Sequence, residues 1–266
     1  MEFCVKMALK KGKVDIAIAY RPEDIDPIFY NKNKAILDLR SGNGLWLWKP
    51  YFIYKKLLEI NENDIVLYCD AASFFFKDCK SIINSMDDDI WVSNIPLIEK
   101  QFTKPELFQA MGCTDTCFKE TNQIQATVIA FRKSDKSVRF VKEWLDLCSI
   151  ADNLQYDTIY DKVQPDFKFF GHRADQSVLS LLSKKYNIKP HSDPSQYGRI
   201  PEKYYGIGRI YLKPAQKQEY KPSIILHRGK SPVFKTCINQ WLCTWLPLKV
   251  VHSFSKPCRT VKKLSK

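Results

Sequence analysis

The sequence predicts an α/β fold in which a mixed, mostly parallel sheet is flanked by helices. Short apolar runs of strand length occur at 65–68, 125–131 and 223–226, and continuous runs of this kind are typical of strands covered on both faces. Apolar residues recur at helical spacing over 52–60 and 138–148. Buried strands that alternate with amphipathic helices indicate a layered α/β domain.

The length of 266 residues suits one large domain with an appendage. We expect the domain at 1–232 and an aromatic, basic segment at 233–266. With 45% hydrophobic and 27% charged residues, the composition excludes the disordered class. No stretch approaches the roughly 18 apolar residues of a membrane span, and residues 1–13 lack the apolar core of a signal peptide. The sequence therefore predicts a cytoplasmic protein.

The formal net charge of +13 indicates an acidic partner, which is a nucleoside diphosphate, an anionic membrane or a nucleic acid. Zinc-finger spacing and arginine-rich segments are absent, so nucleic acid is not expected. The nine cysteines form no C-x-x-C pair, which predicts reduced thiols. Cys113 and Cys117 make half of a zinc motif, but core or loop thiols explain them more simply.

The stretch 42–78 organises the chain, because a glycine-rich turn opens a helix there and the helix leads into a strand that ends at Asp70. Pro50 fits the first helical turn, where its missing N–H is no loss. Ligands of α/β sheets collect beyond the carboxyl ends of strands, which places Asp70 for a cation or a polar substrate. The alternative is an aspartate that caps the next turn. Lys49, at the start of the helix, is expected near an anionic donor and not in the folding core.

The pattern G-x-G-x-W-x-W-K-P-Y, followed by a helix and D-I-V-L-Y-x-D-A-A, resembles the GT-A-fold nucleotide-sugar glycosyltransferases. The bacterial capsule and lipopolysaccharide enzymes are the nearest resemblance, and families 8 and 32 are more distant ones. The resemblance implies a Rossmann-like GT-A domain over 1–232. In that fold the strand ends in D-x-D, whereas Asp70 is followed here by Ala71 and Ala72, so only Asp70 carries over. The first strand predicted here, at 14–20, lies one strand later than a GT-A domain normally begins.

The segment FKFFGHRADQSVLSLL resembles the H-R-x-D-Q-S segment of these transferases. The resemblance implies that Asp175 and Gln176 face the transferred sugar as catalytic residues. It hints at retention of the anomeric configuration, and inversion remains open. His172 and Arg173 are expected at the acceptor. The simpler alternatives are helix capping by Asp175 and a loop position for His172.

The run His227-Arg228-Gly229-Lys230 follows the last strand and resembles the C-terminal histidine-glycine-lysine element of family 8. The resemblance implies a metal held by His227 together with Asp70, and a diphosphate met by Arg228 and Lys230. An imidazole, a carboxylate and phosphate oxygens suit Mn²⁺, and Mg²⁺ is the second candidate cofactor.

Two further contacts are expected, and one acidic cluster is interpreted as structural. Gln125 stands where related enzymes show the asparagine of N-A-G, so the resemblance makes it a donor contact. Lys104 lies within the polar stretch 94–123, which is expected to be a specificity loop and to bring this lysine to a phosphate or to the acceptor. The three acids at 87–89 precede a strand and are interpreted as a solvated turn, because ligands collect at the other end of strands.

We therefore expect a glycosyltransferase that moves a sugar from a nucleotide-sugar to a saccharide or glycolipid acceptor in cell-surface polysaccharide synthesis. A nucleotidyltransferase would share the sheet and a metal aspartate, but it should show a glycine-rich basic phosphate loop after its first strand. A basic binding module without catalysis is the other alternative. The missing second aspartate favours it.

The segment 233–266 combines tryptophans and leucines with a basic end. Such a composition suits an interfacial anchor on the inner face of an anionic membrane. Pro247 interrupts a continuous helix there. The alternative is that Trp241 to Leu246 packs on the domain, because buried tryptophans are common core anchors.

Overall fold

The computed structural model describes residues 2–155, 168–204, 208–212 and 221–227, together with Phe234, Ile238, Leu242 and Leu246. The strands are β1 (Ile65–Cys69), β2 (Ser73–Phe75), β3 (Ile90–Ile98), β4 (Asn122–Arg132) and β5 (Ile224–Leu226). The α-helices are α1 (Glu2–Met7), α2 (Pro27–Lys32), α3 (Lys34–Leu37), α4 (Gly42–Leu45), α5 (Trp48–Glu59), α6 (Lys80–Asn84), α7 (Pro105–Ala110), α8 (Thr116–Lys119), α9 (Asp135–Cys148), α10 (Ala151–Leu154), α11 (Ala174–Lys185) and α12 (Gln196–Arg199).

The main sheet has the order β1-β4-β3, and β4 is antiparallel to both neighbours. Strands β2 and β5 form a second antiparallel pair. A segment at 191–195 joins the two sheets through parallel bridges, from Ser93 to His191 and from Ser195 to Ile224. The mixed α/β architecture is therefore confirmed, but the strands named above pair antiparallel and not mostly parallel as predicted.

A second difference from the predicted fold lies in the N-terminal part of the domain. Residues 14–20 form no strand, and Ile16 and Ile18 are 78% and 50% exposed. The strand β1 pairs antiparallel with the returning strand β4. All five residues of β1 are only partly buried, so the prediction of a strand covered on both faces is wrong for β1.

The region 94–123 is not the long loop that was predicted. Strand β3 continues to Ile98, α7 and α8 follow, and β4 already begins at Asn122. All nine residues of β3 are buried. The register between β3 and β4 shifts between the pairs Trp91–Ala130 and Ser93–Gln125, which leaves a bulge in β4 at 126–129.

Helices α5, α9 and α11 pack against the sheet around fully buried side chains such as Leu57, Phe140 and Trp144. The Ser134 hydroxyl caps α9 by accepting from the backbone N–H of Ser137. The predicted helices at 52–60 and 138–148 are thus confirmed. In the described part of the chain, no helix is long and apolar enough to cross a membrane.

The acids at 87–89 lie in a turn, as predicted, and each carboxylate forms an ion pair with a basic side chain. Asp88 contacts Lys136, Asp89 contacts Arg132, and Asp87 contacts Lys189. The cysteines that the structure describes are free thiols: Cys4, Cys69, Cys79, Cys113, Cys117 and Cys148. Most of the segment 233–266 lies outside the described residues.

Candidate active site

The turn before α5 has a left-handed backbone. Gly42, Asn43, Gly44, Leu45 and Trp46 all have positive φ, between 49° and 92°. A Cβ on Gly44 would lie 2.7 Å from the Cα of Leu37, so this glycine is required by close approach as well as by φ. The turn reverses the chain tightly and starts α5 with Lys49 in its first turn, directed into the protein.

Lys49 joins two aspartates from separate parts of the sequence. Its Nζ lies 2.8 Å from Oδ2 of Asp175 and 3.5 Å from Oδ1 of Asp70. It also donates to the carbonyl oxygen of Ala126, in the β4 bulge, at 3.1 Å. The three positions that the sequence marked independently, 49, 70 and 175, therefore meet at one place.

Asp70 is the solvent-facing member of this group, because its side chain is 31% exposed. Its backbone N–H donates to the carbonyl of Thr127 at 3.0 Å and so continues the β1–β4 ladder by one residue. The Tyr68 hydroxyl donates to Oδ1 of Asp70 at 2.7 Å. Burial and the nearby Asp70 carboxylate raise the pKa of Tyr68 well above its usual value, so the phenol stays protonated and remains a donor.

Asp175 lies deeper, and both it and Lys49 have side chains only 4% exposed. Burial raises the pKa of Asp175 to about 6, against the opposing effect of Lys49. For Lys49, burial lowers the pKa, but the attraction to Asp175 and Asp70 outweighs it and the net pKa is raised. The cluster thus holds one lysine cation between two carboxylates, and one of those carboxylates titrates near neutral pH.

Gln176 and Arg173 lie beside this cluster at the start of α11. The Gln176 Nε2 donates to Oε1 of Gln123 at 2.8 Å, and Arg173 donates to the same oxygen at 3.3 Å. The Gln176 Oε1 accepts from the backbone N–H of Ala126 at 3.4 Å. The Arg173 guanidinium also covers the ring of Phe102, 4.2 Å from its centroid. The predicted helix with Asp175 and Gln176 in its first turn is thus confirmed, and the catalytic role of the two residues stays a prediction.

Gln125 is buried on β4 and donates to the Ser93 hydroxyl at 2.7 Å. It also contacts Asp193. Burial raises the pKa of the Asp193 carboxyl, and the hydrogen bond with Gln125 opposes that rise without cancelling it. Gln125 therefore belongs to a polar group between β4, β3 and the linking segment at 191–195. Its role as a donor contact stays a prediction.

His227 follows β5, and its backbone N–H donates to the carbonyl of Ala72 at 2.7 Å. The β2–β5 pairing thus brings His227 opposite the residue two positions after Asp70. Its Nδ1 is buried and has no hydrogen-bond partner. An imidazole nitrogen without a partner can bind a metal when it carries no proton. In the described ranges, no group of three or more His, Cys, Asp or Glu residues could hold a metal.

The predicted acceptor residues have contacts within the fold. The His172 Nε2 lies 2.7 Å from the carbonyl of Asn153, its Nδ1 accepts from the Lys104 backbone N–H at 3.4 Å, and burial lowers its pKa to about 4. The Lys104 Nζ donates to the carbonyls of Asp152 and Gln155. These contacts match the loop-histidine alternative, and the acceptor role of both residues stays a prediction. Arg228 and Lys230 lie outside the described residues.

Two site residues were not found from the sequence. The sequence pattern assigns Tyr68 to an apolar strand and Gln123 to a polar loop. The signal for Gln123 was present, because glutamines at 123 and 125 alternate with apolar residues along a buried strand and so share one face of it. Polar side chains on a buried strand face need partners, and those partners form the site.

No family model matches the chain, and no curated protein is similar to it at a significant level. Among solved structures, the chain is similar to mouse xyloside xylosyltransferase 1 in its apo form, with a TM-score of 0.42 and 9% identity over 77% of this chain and 72% of that chain. A likeness of this size carries no argument, so function is inferred from the residues of the site.

Proposed function

We propose that the protein is a glycosyltransferase that uses a nucleotide-sugar donor and a saccharide or glycolipid acceptor. The observation that supports it most is the convergence of Lys49, Asp70 and Asp175, with distances of 2.8 and 3.5 Å, from two sequence motifs that independently resemble such enzymes. A merely structural ion pair would not need the second carboxylate, that of Asp70, whose side chain is 31% exposed and so accessible to a ligand.

The leaving nucleoside diphosphate must be neutralised for the sugar to transfer. Asp70 and the unpartnered Nδ1 of His227 would hold Mn²⁺ or Mg²⁺ there with phosphate oxygens completing the shell, and such an ion stabilises developing negative charge. Tyr68 and Lys49 hold the Asp70 carboxylate from behind, so it keeps one orientation while its exposed side meets the ligand. Arg228 and Lys230, one and three residues further, are proposed diphosphate contacts.

Asp175 and Gln176 are proposed to face the reacting sugar. Lys49 keeps Asp175 ionised in a buried position, where a carboxylate interacts strongly with a developing cation. Glycosidases place two carboxylates across the bond that is cleaved. Here the two carboxylates share one lysine, and the resemblance of the Asp175-Gln176 pair to family 8 is what supports transfer with retention by a hexosyltransferase-like enzyme.

The proposal for the cellular setting rests on composition alone. The basic, aromatic segment 233–266 is proposed to hold the enzyme on an anionic membrane surface, where lipid-linked acceptors of capsule or lipopolysaccharide synthesis are assembled.

A donor screen tests the function. Purified protein is heated with UDP-, GDP- and CMP-sugars, with and without Mn²⁺, and a donor at 100 times its Kd should stabilise the fold by about 2.7 kcal/mol. The donor that stabilises most is then assayed for release of its nucleotide, which is UDP, GDP or CMP according to the donor. Stabilisation without release would support a binding module, and pyrophosphate release from a nucleoside triphosphate would support a nucleotidyltransferase. Either result would overturn the proposal.

A further inference from the structure

A third carboxylate, Glu99, lies behind the site and has no exposed side-chain surface. Its Oε1 accepts from the Thr103 hydroxyl at 2.5 Å and from the Gln123 Nε2 at 3.1 Å. Its Oε2 accepts from the Ser180 hydroxyl and from the Lys184 Nζ, the latter at 2.7 Å. A buried carboxylate is costly unless its charge and its lone pairs are both satisfied, and here four donors, one of them the Lys184 cation, satisfy them.

The Glu99 carboxylate fixes the direction of a neighbouring amide. A carboxylate only accepts hydrogen bonds, so the NH₂ group of Gln123 must face it and the Gln123 oxygen must point the other way. That oxygen accepts from Gln176 at 2.8 Å and from Arg173 at 3.3 Å. Because the Gln176 NH₂ group is then directed at Gln123, the Gln176 oxygen faces the backbone N–H of Ala126.

The order of donors and acceptors therefore runs from Glu99 to the site without a break. Ala126, where it ends, is the residue whose carbonyl accepts from Lys49. Every link is a side chain buried or half-buried against β4, and none of these links passes through the ion pair of Lys49 with the two aspartates. Hydrogen-bonded chains of this kind act as a unit, because one reversed amide changes the direction of the next.

We propose that Glu99 is a positioning residue of the sugar-transfer site, which acts through Gln123 to hold the Gln176 amide and the Arg173 guanidinium in one orientation. The inference rests on the proposed function for its catalytic consequence and on the hydrogen-bond geometry for the orientation itself. Glu99 touches no substrate.

The kinetic test uses Glu99→Gln, which can present an NH₂ group to Gln123 and release its orientation. We expect kcat to fall roughly ten- to a hundredfold with little change in the donor KM. The double variant Glu99→Gln/Gln123→Glu should recover kcat, because the carboxylate at position 123 accepts from Gln176, from Arg173 and from the new amide at position 99. Ser180→Ala removes a donor from the other oxygen of Glu99 and an acceptor from the backbone N–H of Ile124. It keeps the Glu99–Gln123 hydrogen bond, so it should lower the melting temperature and keep kcat.

A second measurement does not depend on activity. The side-chain amide NMR signals of Gln176, assigned by their loss in Gln176→Met, should shift in Glu99→Gln and return in the double variant. Gln123→Met, which keeps the Glu99–Lys184 pair, should shift them too and serves if Glu99→Gln does not fold. Unmoved Gln176 signals would overturn the orienting role. Moved signals with a kcat equal to that of Ser180→Ala would overturn the catalytic role. A wild type inactive on every donor would overturn the proposed function while the signals still decide the orientation.

Discussion

The Nζ of Lys49 lies 2.8 Å from Oδ2 of Asp175, and the two side chains are equally inaccessible to solvent. The pair connects the first turn of α5 with the first turn of α11. It is therefore part of the fold as well as part of the site. Removing one partner of a buried pair leaves the other charge uncompensated, which lowers the free energy of unfolding. Stability therefore has to be measured together with activity for variants of Lys49 and Asp175.

Lys49→Met should destabilise the protein by about 3–5 kcal/mol, because Asp175 loses its buried counter-ion. This revises the expectation that Lys49 affects donor use without affecting folding. Urea unfolding measures the loss, and Lys55→Met, a lysine on the same helix, is the control that should cost little. Adding Asp175→Asn should restore part of the stability of Lys49→Met but no activity. A lysine variant as stable as the control would show that the pair contributes nothing.

Asp70→Asn should abolish sugar transfer and leave the fold intact, because Asp70 is partly exposed and the amide oxygen still accepts from Tyr68. The loss is measured as kcat/KM with the donor found by the screen and Mn²⁺. Glu62→Gln, an exposed acid just before β1, is the matched control. Activity within a few-fold of wild type would remove Asp70 from the site.

The pH dependence of transfer should show an acidic limb at about pH 6, where Asp175 takes up a proton and releases Lys49. The folded pKa of Asp175 is raised above its usual 3.8, so its contribution to stability is present below pH 3.8 and is lost as pH rises through about 6. Acidification across that window should therefore stabilise wild type relative to Asp175→Asn while it lowers wild-type kcat/KM. An acidic limb that persists unchanged in Asp175→Asn would assign it to another group.

Gly44→Ala should destabilise the protein more than Gly112→Ala does. Both glycines have positive φ, which costs an alanine roughly 1 kcal/mol. Only at Gly44 would the new Cβ also meet the backbone of Leu37, whereas Gly112 has open space around it. Urea midpoints of the two variants separate the clash from the φ strain. Equal midpoints would mean that the turn before α5 relaxes freely.

The segment 233–266 carries seven lysines and arginines and no acidic residue. At about 1 kcal/mol per basic residue near an anionic leaflet, the protein should float with vesicles that contain anionic lipid and be released by high salt. Removing residues 256–266 should abolish the binding. Equal flotation with neutral vesicles, or none at all, would leave the tryptophans of this segment as packing residues.

Local patterns predicted most of the elements but not how they pair. The helix with Pro50 in its first turn and the helix with Asp175 in its first turn were predictable, because helical periodicity and termini are local signals. The antiparallel return of β4 was not, since strand order depends on contacts between distant residues. The burial of Lys49 was not predicted for the same reason. A lysine at a helix start is expected to be exposed, and its two carboxylate partners come from distant segments of the sequence.

The position of Lys49 also constrains how the chain reaches its native state. Its carbonyl partner Ala126 is 77 residues away, and Asp175 lies further still along the chain. The lysine is synthesised first and has to stay hydrated until both segments have closed large loops onto it. Formation of the site should therefore be a late event on the folding pathway, and a ribosome-bound chain that ends before α11 should expose Lys49 to amine-labelling reagents that the finished protein excludes.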